Sequence, residues 1–111
     1  MNEIQAIEAL SALAQPDRLT AFRMLVQAGP EGLAAGDLAE RLEAAPARMS
    51  FHLAALERSG LIRKQRQGRK IIYSARMDAM QGLIGFLLED CCNGSPVQCG
   101  FPQITLPKEH A

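Results

Sequence analysis

Residues 35–73 confine the fold more tightly than any other stretch, because two short helical patterns and a hairpin pattern follow one another there with almost no connecting chain. Leu38, Ala39 and Leu42 predict a short helix over about 35–43. Ala44-Ala45 break it, and Pro46 suits the first turn of a further helix whose buried stripe is Met49, Leu53 and Leu56. Gly60 is the expected left-handed cap just past that helix. Leu61, Ile62 and Ile71, Ile72, Tyr73 are β-formers that flank Arg63 to Lys70, with Gln67-Gly68 supplying the turn. Two helices joined by a tight turn and followed by a basic hairpin suit DNA: a helix fits the major groove while hairpin cations reach neighbouring phosphates.

The flanking sequence completes one small domain. Ile4, Ile7, Leu10, Leu13 and Ala14 make the apolar stripe of a first helix over about 3–14. Pro16 opens a second, with Asp17 near its positive end, and Leu19, Phe22, Leu25 and Val26 form its buried side until Gly29-Pro30 stops it. Met80, Leu83, Ile84, Leu87 and Leu88 give a last helix over about 78–91, before Asn93-Gly94. The expected fold is therefore mainly α with a small β-hairpin, in the order α-α-α-α-β-β-α: a winged helix-turn-helix domain over 1–94 and an irregular tail over 95–111 with Pro96, Pro102 and Pro107.

A zero net charge conceals a polarised chain. Residues 44–77 hold eight basic side chains against the single acid Glu57, so this segment is +7 and the remainder −7. Such asymmetry within one domain gives one face a positive field. Arg48, Ser50, Phe51 and His52 fall on the helix expected to enter the groove, and Arg63, Lys64, Arg66, Arg69 and Lys70 on the hairpin. Arg48 suits a bidentate contact with guanine, Ser50 a phosphate or base edge, and Phe51 a thymine methyl. The competing readings are a partly buried core position for Phe51 and a packed, hydrogen-bonded imidazole for His52.

Three cysteines, Cys91, Cys92 and Cys99, fall within nine residues. An odd, clustered set is no secreted disulfide framework, and a reducing compartment keeps such thiols free. Soft thiolates select thiophilic ions, and three sulfurs without a nearby histidine suit the three-bonded geometry of trivalent arsenic or antimony better than four-coordinate zinc. A zinc site completed by Glu89, Asp90 or His110, and a disulfide joining Cys99 to Cys91 or Cys92, remain as alternatives. The sequence has no stretch of membrane-span length and no signal-peptide pattern, so a cytoplasmic protein is expected. With two histidines, no phosphate-cradling glycine motif and no paired catalytic carboxylates, an enzyme and a catalytic cofactor are not expected.

The ordered set Leu13-Ala14-Gln15-Pro16-Asp17-Arg18-Leu19, Leu38-Ala39-Glu40-Arg41-Leu42, Ser50-Phe51-His52-Leu53-Ala54-Ala55-Leu56, Gly60-Leu61-Ile62 and Gly68-Arg69-Lys70 with Tyr73 resembles the ArsR/SmtB family of bacterial metalloregulators over about residues 7–88. The resemblance implies a homodimeric repressor of operator DNA whose first and last helices form the interface, through Ile4, Ile7, Leu10, Leu83, Ile84 and Leu87. Two departures stand out. Pro46-Ala47-Arg48 replaces the small polar residues that often open the recognition helix, and Leu33-Ala34-Ala35-Gly36-Asp37 replaces the cysteine pair that many arsenic repressors carry at the third helix. The C-terminal cysteines are similar to the relocated cluster of some atypical arsenic repressors. Arsenite, or antimonite, is then the inducer that Cys91, Cys92 and Cys99 would bind, releasing the DNA.

Overall fold

The computed structural model describes residues 1–89. The tail over 95–111 and all three cysteines lie outside the described residues. Helix α1 runs over Glu3–Leu13, α2 over Pro16–Ala28, α3 over Ala35–Arg41, α4 over Pro46–Arg58 and α5 over Met77–Leu87. The strands are β1 (Leu33–Ala34), β2 (Ile62–Gln67) and β3 (Lys70–Ala75). Local chemistry explains the helix starts. Asn2 and Gln5 form a capping box on α1, with each side-chain oxygen accepting the other's backbone N–H at 2.8 and 3.0 Å. Pro16 and Pro46 occupy first turns, where a missing N–H costs no helical hydrogen bond.

The helix-turn-helix pair is set by two matching terminations. At the end of α4, Gly60 in the left-handed region (φ 84°) donates to the Glu57 carbonyl and Leu61 to the Leu56 carbonyl, the paired bonds of a Schellman motif. At the end of α3 the same pair of bonds runs from Glu43 to Glu40 and from Ala44 to Ala39. There the left-handed residue is Glu43 (φ 52°) instead of glycine. Leu38, Met49, Leu53 and Leu56 are fully buried between these helices, joined by Leu25 from α2 and by Leu61 and Ile62 from the entry to β2.

The sheet has one more strand than the sequence pattern indicates. The order is β1-β3-β2, all antiparallel, with β1 pairing Leu33 to Tyr73 and Ala34 to Ile72. A 3-10 turn, Gly29–Glu31, and Gly32 (φ 68°) deliver the chain to β1, and a Cβ on Gly32 would run into the Tyr73 carbonyl. The hairpin turn sits one residue later than expected. Gln67 pairs with Lys70, so Gly68 and Arg69 form the two-residue loop, with positive φ at Gly68 (64°) as a type II′ turn requires.

Two further expectations, the burial of Leu19 and the end of α5, are corrected. Leu19, placed on the buried side of α2, is exposed, because Ala21, Phe22 and Leu25 make up the packed face. Helix α5 ends at Leu87 with Leu88 as its cap instead of continuing to Cys91; Glu89 N–H bonds to Phe86 and closes a tighter turn. The core side of α1 is Ala6, Ala9 and Ala12, while its large residues Ile4, Ile7 and Leu10 face outward.

Candidate nucleic-acid interface

Helix α4 presents two faces. Met49, His52, Leu53 and Leu56 are buried, and Arg48, Ser50 and Phe51 are exposed, Phe51 to 60 %. The structure therefore favours a surface position for Phe51. It removes His52 from the DNA-contacting set, because the imidazole is only 6 % exposed and its edge is turned to neighbouring side chains instead of solvent.

What holds His52 is a cluster that sequence reading missed. The Nε–H of Arg18 donates to His52 Nδ1 at 3.1 Å, and the same guanidinium lies 5.6 Å from the centre of the Phe51 ring. The Asp17 carboxylate lies 4.0 Å from Arg48 Nε and 3.9 Å from His52 Nε2. Phe51 and His52 meet edge to face with centroids 5.9 Å apart. The first turn of α2 thus clamps the N-terminal half of α4. Burial, and then the positive charges of Arg18 and Arg48 against the opposing influence of Asp17, hold the His52 pKa below its ordinary value. At neutral pH the ring is uncharged and carries its proton on Nε2, the tautomer that accepts from Arg18. In the sequence, Asp17 marked a helix start and Arg18 stood only within the motif that carries the family resemblance; no local pattern ties either to position 52.

The hairpin brings its five cations to the surface, all of them exposed. Cross-strand pairing puts Lys64 and Arg66 on one face with Tyr73 and Ile71, and Arg63 and Lys70 on the other. Their partners differ. Lys64 Nζ lies 3.7 Å from Glu57 of α4, Arg63 Nε donates to Ser74 Oγ at 3.3 Å, and Arg66 Nε donates to the Gly68 carbonyl at 3.2 Å. Arg69 and Lys70 make no side-chain hydrogen bond or ion pair among the described residues and stand at the wing tip.

Of the side chains expected at a subunit interface, Ile4 (70 %), Ile7 (56 %), Leu10 (43 %) and Leu87 (55 %) are exposed, and Ile84 is half-buried. Leu83 is the exception: at 7 % exposure it belongs to the chain's own core, where α5 packs against α1. Among the described residues no group of histidine, cysteine, aspartate or glutamate is placed to hold a metal, and no helix is long and apolar enough to cross a membrane.

A groove-sized helix with an exposed N-terminal half, a helix-turn-helix scaffold and a cationic two-stranded wing define a winged helix-turn-helix DNA-binding transcriptional regulator. Comparison with known proteins agrees. The helix-turn-helix domain family matches residues 13–65. The HTH-type transcriptional regulator YgaV of Escherichia coli K12 is 34 % identical over 88 residues, covering 79 % of this chain and 87 % of that protein. An ArsR-like transcriptional regulator from Rhodococcus sp. RHA1 superposes with a TM-score of 0.67 at 26 % identity, covering 76 % of each chain. HlyU from Vibrio cholerae N16961 gives 0.65 at 28 % identity, covering 84 % of this chain and all of that one. The chain belongs to the ArsR family of transcriptional regulators.

Proposed function

We propose that this regulator is a homodimeric repressor of operator DNA that trivalent arsenic, or antimony, releases through Cys91, Cys92 and Cys99. The dimer is supported by the exposed Ile4, Ile7 and Leu10 on α1 and Leu87 on α5, two helices that pack together, since several large apolar side chains on neighbouring elements rarely stay in water. Two-fold symmetry would present two copies of α4 to successive major grooves. The inducer assignment is carried by one observation: three thiols within nine positions, with no metal-ligating cluster elsewhere among the described residues. Cys91 follows the last residue of α5 by four positions, so closing a three-sulfur chelate pulls on the helix packed against α1. A small rotation there changes the spacing of the two recognition helices and weakens both half-sites together.

The test is a fluorescence-anisotropy titration of the reduced protein on its own upstream DNA, with and without arsenite, repeated with Cys91→Ser, Cys92→Ser and Cys99→Ser. Arsenite is expected to weaken binding of the parent, by about 5- to 150-fold for an ordinary allosteric coupling. The serine variants are expected to bind DNA normally and to ignore arsenite. No arsenite effect under reducing conditions would remove the inducer assignment and direct attention to oxidants and zinc.

A further inference from the structure

We infer that Arg18, on the first turn of α2 and outside the helix-turn-helix pair, contacts the DNA phosphate backbone beside the N-terminal half of α4, with His52 as its anchor. This rests on the DNA-binding reading. Three observations lead to it. The Arg18 guanidinium lies over Phe51, which projects from the exposed face of α4, so it shares that helix's outward surface. Its Nε–H is committed to His52 Nδ1, and its backbone N–H to the Gln15 side chain that caps α2. Among the described residues its terminal nitrogens have no hydrogen bond or carboxylate within ion-pair distance, although Asp17 is its chain neighbour and pairs with Arg48 instead.

A half-buried guanidinium fixed at Nε keeps a planar pair of terminal N–H groups pointing away from its anchor, the geometry that a phosphate accepts in bidentate fashion. Arg18 and Arg48 outweigh Asp17, and His52 is neutral, so the cluster carries one net positive charge toward a polyanion. His52 serves as a positioning residue: it touches no DNA but fixes the direction in which Arg18 points.

The experiment measures affinity against salt concentration for a labelled duplex that the parent protein recovers from a random-sequence pool. Failure of the parent to recover any duplex, or to bind it with salt dependence, would overturn the DNA-binding reading itself. If the parent binds, Arg18→Gln is expected to lower affinity by about tenfold at low salt. The slope of log affinity on log salt should fall by about 0.9, as for one lost phosphate contact. Arg18→Lys keeps the charge but not the anchored fork, so it is expected to retain the slope with weaker binding. Arg23→Gln, an exposed cation further along α2, should change neither. An unchanged slope in Arg18→Gln, or an equal loss in Arg23→Gln, would overturn the assignment. Circular-dichroism melting of Arg18→Gln checks that the variant is folded. Should it be unfolded, the decision passes to Arg18→Lys, where a slope reduced as far as by a lost charge counts against the contact.

Discussion

Arg18 reaches across 34 positions of sequence to donate from Nε to Nδ1 of His52 at 3.1 Å. The bond requires a neutral imidazole, because a protonated ring has donors at both nitrogens and nothing to accept with. Among the described residues, the charged groups acting on His52 are those of this cluster: Arg18 and Asp17 from α2, Arg48 from α4 itself. The folded state holds the pKa of His52 below its ordinary value near 6.5, so the unfolded chain binds the proton more readily. The resulting stability is complete above the unfolded value and is lost as pH falls from about 6.5 through the lower folded value. Urea denaturation from about pH 7.5 down to about pH 5 should show this loss. His52→Asn, which keeps an acceptor near Nδ1, should flatten that part of the profile; an unaltered profile would assign the loss to other groups.

Glu43 holds the left-handed position of the turn between α3 and α4 at φ 52°, where an L side chain is strained. Glu43→Gly is expected to raise stability by about 1 kcal/mol, the cost of a Cβ in that region. For a domain of this size that corresponds to about 4–8 °C in Tm. A neutral or lower Tm would mean that the Glu43 side chain makes up for its own strain.

Gly32 lies at the opposite extreme, since no side chain fits there. Gly32→Ala places a Cβ against the Tyr73 carbonyl and adds positive-φ strain, so β1 must separate from β3. The expected loss is about 2–3 kcal/mol. The denaturation midpoint measures it directly.

Ile7 is 56 % exposed, so within one protomer its replacement costs little. Under the proposed assembly, Ile7→Glu puts a carboxylate into the buried face of a dimer. Sedimentation velocity should then show a folded monomer, and tight operator binding should be lost with it. A stable dimer in this variant would place the interface elsewhere.

At the wing tip, Arg69→Gln and Lys70→Gln are each expected to reduce the salt slope by about 0.9 with Tm unchanged, because neither side chain is bonded within the described residues. Arg66→Gln should cost less, since its Nε is already directed into the turn at Gly68.

The elements legible in the sequence were those written in local periodicity: five helices, the break before Pro46, the glycine cap at Gly60 and the basic hairpin. Strand β1 was hidden because two residues have no period of their own and are held by pairing with Tyr73 and Ile72 far along the chain. On α1 the isoleucine and leucine stripe drew attention to the outward face. The core face is made of alanines, whose small side chains let the helix sit close while giving only a weak hydrophobic signal. The cations of the wing and the exposed half of α4 were readable by residue type. The clamp from Asp17 and Arg18 was not, because it exists only once α2 and α4 have been brought together.

Strand β3 lies at the centre of the sheet, bonded to the wing strand β2 on one side and, through β1, to the residues that open α3 on the other. The wing is therefore a lever with its fulcrum at Leu33–Ala34, rather than a flap on a loose joint. In the proposed DNA complex, its tip and the recognition helix would act as two jaws of one tool. Under that mode, a duplex whose groove width separates the bases from the flanking phosphates by the wrong distance would have to deform to be held, so the way the sheet is tied would let the protein discriminate by DNA shape.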